Sequence, residues 1–142
     1  MWENFKSMPT LLKFLTAHAI ACIFFLIGSV FPHDSYVIHG RPVTHAEWWS
    51  SGVGVYGSVL GVLMASAGVL LVLRHPFSRP FYLGIFSLGM TTPYFLFGEH
   101  WSSLFSLLVA GLIGAYLYLN TAVKAYFSPH PQQPPNPSSA NN

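Results

Sequence analysis

From Val53 to Leu73 the chain runs for 21 residues without one charged side chain. A helix needs about 20 apolar residues to cross a bilayer core, so this run alone points away from a water-soluble fold. Three further apolar runs accompany it: Leu11–Phe31, Phe81–Phe97 and Leu104–Val123. Only 7% of the 142 residues are charged, against about 25% in an ordinary soluble domain. In lipid such a surface needs no other explanation.

The predicted fold is therefore all-α: an integral membrane protein built as an up-down bundle of four transmembrane helices over residues 1–127. The remaining stretch, 128–142, is rich in Pro, Gln, Asn and Ser and is expected to be disordered. The first run is too long for the h-region of a cleaved signal peptide, and no small-x-small site follows it, so it reads as a retained helix. The third is the shortest and holds Pro93, which predicts a kink; Thr91 and Thr92 are candidates to satisfy the backbone groups it frees.

Basic residues set an orientation. With four spans, Lys6, Lys13, Arg74, Arg79 and Lys124 share one side with both termini, and Arg41 stands alone on the other. The positive-inside rule then places both ends in the cytoplasm, as expected for a multi-pass protein of a bacterial inner membrane. Trp2, Trp48, Trp49 and Trp101 fall at span ends, where indole rings favour the interface.

The segment 32–50, PHDSYVIHGRPVTHAEWWS, allows a short strand-like turn or an interfacial helix over Thr44–Ser50, with Thr44 as N-cap and Glu47 at N3. With the short loop before Leu104 it gathers ionisable groups on the outer face: His33, Asp34, His39, His45, Glu47, Glu99 and His100. Imidazoles and carboxylates are good ligands for zinc, copper or nickel, so these are the candidate metal residues, although their spacing matches no metal signature. His18 lies within the first span, one turn from the single cysteine, Cys22; a polar partner across the bundle is expected among Ser66, Ser87, Thr91 and Thr92.

Gly52, Gly54 and Gly57 form a G-x-G-x-x-G string, yet it opens a membrane span and no acidic residue follows, so the dinucleotide reading fails. Small residues at helical spacing fit helix packing instead: Gly57, Gly61 and Ala65 on the second span, Ala110 and Gly114 on the fourth. The spans hold no Asp or Glu, no nucleophile–base arrangement can be assembled, and no cofactor is expected. A net charge of +2 gives no basis for nucleic-acid binding.

The expected function is non-enzymatic: an accessory, assembly or regulatory component whose partners are the lipid bilayer and another membrane protein or a second copy. The alternatives are a small transporter, channel or metal-handling protein using the outer His/Asp/Glu cluster, and a membrane immunity protein against a pore-forming toxin.

Overall fold

A computed structural model describes residues 1–96 and 98–128. Phe97, the end of the third apolar run, and 129–142, nearly all of the predicted tail, lie outside the described residues. The chain is mostly helical: α1 (Trp2–Ser7), α2 (Thr10–Ala21), α3 (Ile23–Val30), α4 (His45–Ser50), α5 (Val53–Val72), α6 (Ser78–Leu96), α7 (His100–Leu119) and α8 (Thr121–Phe127), with two short strands, β1 (Val37–Ile38) and β2 (Arg41–Pro42). Three helical stretches are long and apolar enough to cross a membrane: Thr10–Val30, Val53–Val72 and His100–Leu119. They fit a multi-pass membrane protein.

The first stretch is not one unbroken helix. At Cys22 the backbone tightens: its N–H meets the carbonyls of both His18 and Ala19, and Phe25 N–H closes back on Cys22 O at 2.9 Å, in the i→i+3 manner of a 3₁₀ turn. α5 packs against this joint through glycines. A Cβ on Gly61 would stand 2.8 Å from Cys22 O and Leu26 N, and one on Gly68 2.8 Å from Ile20 Cγ1. α6 packs between α5 and α7. The buried centre draws on all of these: Leu12, Met64, Leu71, Tyr82, Phe86, Ala110 and Leu117.

Pro93 lies inside α6. Having no N–H, it leaves the carbonyl of Gly89 without its intrahelical donor. Tyr56 OH of α5 supplies one, at 2.9 Å. Of the two threonines expected in this role, Thr91 does not fill it, its Oγ1 being buried with no hydrogen-bond partner, and Thr92 bonds to the Tyr56 side chain. α6 and α5 both end in the Schellman arrangement. In α6 Glu99 N–H reaches Tyr94 O, Gly98 N–H reaches Phe95 O, and Gly98 takes the left-handed position at φ 75°. In α5 His75 N–H reaches Leu70 O and Arg74 N–H reaches Leu71 O, and the left-handed residue is Arg74, at φ 56°.

Two short helices have no counterpart among the predicted elements. α1 precedes the first span. The fourth apolar run breaks at Asn120, which leaves helical geometry and caps α8, its side chain accepting from Val123 N–H at 3.1 Å.

Candidate functional site

The connection between α3 and α5 is built by local rules. β1 and β2 pair antiparallel with Ile38 opposite Arg41, joined by His39 and Gly40, both at positive φ. That is the twist a two-residue hairpin turn requires, and Gly suits the second place. α4 then starts on a capping box: Thr44 Oγ1 accepts from Glu47 N–H and the Glu47 carboxylate accepts from Thr44 N–H at 2.8 Å. These bonds, to the backbone first and then to the Thr44 hydroxyl, hold the Glu47 carboxyl below its ordinary value, with a smaller contribution from Arg41.

The hairpin and α4 fold over the C-terminal end of α3, where carbonyls lack intrahelical donors. Tyr36 is buried and its hydroxyl donates to Phe31 O at 2.8 Å and to Gly28 O at 3.1 Å. Trp49 Nε1 donates to Ser29 O at 3.1 Å and to His45 Nε2 at 2.9 Å. His33 stacks on Tyr36 at 4.0 Å between ring centres, and Trp48 at 5.1 Å. The three glycines of the G-x-G-x-x-G string serve this assembly. Gly52 takes φ 82° as the N-cap of α5, Gly54 lies under the indole of Trp48, and Gly57 lies against Ser29 Oγ.

The seven candidate metal residues are thus dispersed. His33 and His45 both face Tyr36, but both ring nitrogens of His33 and Nε2 of His45 are engaged. His33 Nε2 lies 3.0 Å from Gly28 O and its Nδ1 accepts from Ser35 N–H; His45 Nε2 accepts from Trp49. A metal ion at those nitrogens would have to displace these partners. His39 forms the turn, Glu47 the cap, and Asp34 is exposed. Glu99 is the N-cap residue of α7 and His100 its first residue, both exposed. Among the described residues no three His, Cys, Asp or Glu side chains form a group that could hold a metal ion. His18 is exposed on α2, its ring edge toward Phe86 at 6.4 Å. The expected partners Ser66 and Ser87 bond back to Val62 O and Leu83 O of their own helices.

The opposite end holds a second polar assembly. Tyr126 OH of α8 donates to Leu71 O and Val72 O, and Asn4 Nδ2 of α1 also donates to Val72 O at 3.1 Å. Burial pushes the Tyr126 phenol up in pKa, and Arg74 partly offsets this. The Arg74 guanidinium lies over the Tyr126 ring at 4.4 Å and donates to Ser7 Oγ at 2.9 Å. Arg79 covers Phe127 at 4.9 Å and Tyr118 at 5.3 Å. Neither α1 nor α8 is predicted from the sequence, so this meeting of both terminal segments with the α5–α6 connection is missed there.

The packing residues divide into two sets. Gly57 and Gly61 are used inside the molecule against α2 and α3, with Gly54 and Gly68 extending the same face. Ala65 is half-buried beside it. On α7, Ala110 is buried and a Cβ on Gly114 would meet Leu83 at 3.1 Å, but Gly111 is exposed and a Cβ there would meet nothing within 4 Å. Compared with known protein families, curated proteins and solved structures, the chain matches none.

Proposed function

We propose that this chain is a four-span protein of a bacterial inner membrane, with both termini on the cytoplasmic side. In this reading it is a non-enzymatic accessory, assembly or regulatory component that works by packing against another membrane protein or a second copy of itself. The observation that carries the reading is the open groove along α6 and α7, lined by Leu83, Ser87, Leu107, Gly111, Ala115 and Tyr118. Small residues let a neighbouring helix approach closely in lipid, and here that approach is unobstructed.

α6 serves as the fourth span. Its 19 residues extend about 28 Å at 1.5 Å each, close to the bilayer core. The crowding of Lys6, Lys13, Arg74, Arg79 and Lys124 supports the orientation.

Affinity purification in mild detergent tests the function. A co-purifying membrane protein or a self-associated species is expected, and Gly111→Leu, which fills the groove, should abolish it while the monomer stays folded. Strictly monomeric material without a companion would refute the reading.

A further inference from the structure

Arg74 occupies a position that its backbone does not favour. The left-handed C′ residue of a Schellman motif is usually glycine, because a Cβ is disfavoured there. α6 ends in the same motif and does use glycine, Gly98. What the arginine adds is its side chain. The guanidinium is fixed by the Tyr126 ring and by Ser7 Oγ, and it lines an open groove of about 450 Å³ whose other walls include Met8, Pro9, Ala122 and Ala125. A planar guanidinium presents five N–H donors, which suits a phosphate oxygen pair.

The setting matches. Arg74 closes the end of a span, which puts the groove at headgroup depth. The same end carries Lys6, Lys13, Arg79 and Lys124, with Glu3 as its acidic residue, and Glu3 is engaged by Lys6 at 3.1 Å. Beside these polar groups, Met8, Pro9, Ala122 and Ala125 give the groove an apolar wall, as a glycerol backbone and the start of an acyl chain would need. We infer that the groove between α1, the α5–α6 connection and α8 is a binding site for the phosphodiester headgroup of an anionic phospholipid, with Arg74 as its phosphate ligand and Ser7 as the residue that aims it. This goes beyond the packing role proposed above and needs no protein partner.

The test is native mass spectrometry of delipidated protein titrated with phosphatidylglycerol or phosphatidylcholine, alongside reconstitution into nanodiscs. Phosphatidylglycerol should bind about fivefold more tightly. Arg74→Gly should erase that preference. Glycine suits the left-handed backbone, so this variant is expected to fold, and a thermal melt checks that it does. Ser7→Ala should weaken the preference, and Arg41→Gln at the other end should leave it intact. Equal binding of the two lipids, or a preference that survives Arg74→Gly, would overturn the proposal. So would displacement of the lipid by free glycerol phosphate, which would assign the groove to a soluble anion. A chain that does not enter nanodiscs at all would refute the membrane reading itself, and this site with it.

Discussion

Pro93 removes one N–H from α6, and the effect falls on Gly89, a turn earlier. Tyr56 answers it from the neighbouring helix, so this hydrogen bond joins two helices as well as mending one. Tyr56→Phe should cost about 1–3 kcal/mol in a detergent unfolding titration, because it strands a part-buried carbonyl. In a Pro93→Ala background the restored N–H should shrink that cost, and a double-mutant cycle reads the coupling. Tyr82 is the contrasting case. Its side chain is fully buried and its hydroxyl has no hydrogen-bond partner, so Tyr82→Phe should leave stability unchanged or raise it in the same titration.

At the scale of elements, α5 owes its fit to glycines that meet backbone. At Gly61 the obstruction is Cys22 O and Leu26 N, which cannot rotate away, so Gly61→Ala should destabilise by about 1–3 kcal/mol. Gly111→Ala meets open space and should be nearly neutral in the monomer. The α4 cap carries a pH signature. Because the Glu47 carboxyl is held low in the folded chain, its contribution is complete above the ordinary glutamate value of about 4.3 and fades as pH falls through the lower folded value. Glu47→Gln retains the capping-box geometry without the titration, so local acid melting, followed by the fluorescence of Trp48 and Trp49, should flatten. What was legible in the sequence follows the range of each signal. The capping box is a three-residue spacing and the three apolar helices are runs of about 20 residues, and both stand out unaided. α1 and α8 are six and seven residues long and owe their helicity to tertiary contacts, so no local pattern announces them. The work of His33 and His45 depends on Tyr36 and Trp49 arriving from elsewhere in the fold. Composition alone shows them only as possible ligands.

For the whole molecule, the polar groups gather at two ends and the apolar helices lie between. One end is closed by the long α3–α5 connection, which folds back on α3. The other is closed by three segments far apart in sequence. Orientation is open to direct measurement, because the single native cysteine, Cys22, is buried and should be silent to labelling. A cysteine placed at Gly40 is expected to react with an impermeant maleimide from the outside of intact cells, and one at Phe77 only after the membrane is opened. The reverse pattern would invert the proposed topology.

The meeting of Asn4, Val72 and Tyr126 also constrains how the protein is made. During synthesis α5 can emerge and cross the membrane long before residue 126 exists, so the Leu71 carbonyl must wait for its donor. Closure of this end therefore reports completion of the described chain. A translation product halted before α8 would keep every apolar helix and still leave this end unsealed, a difference that a quality-control protease could read.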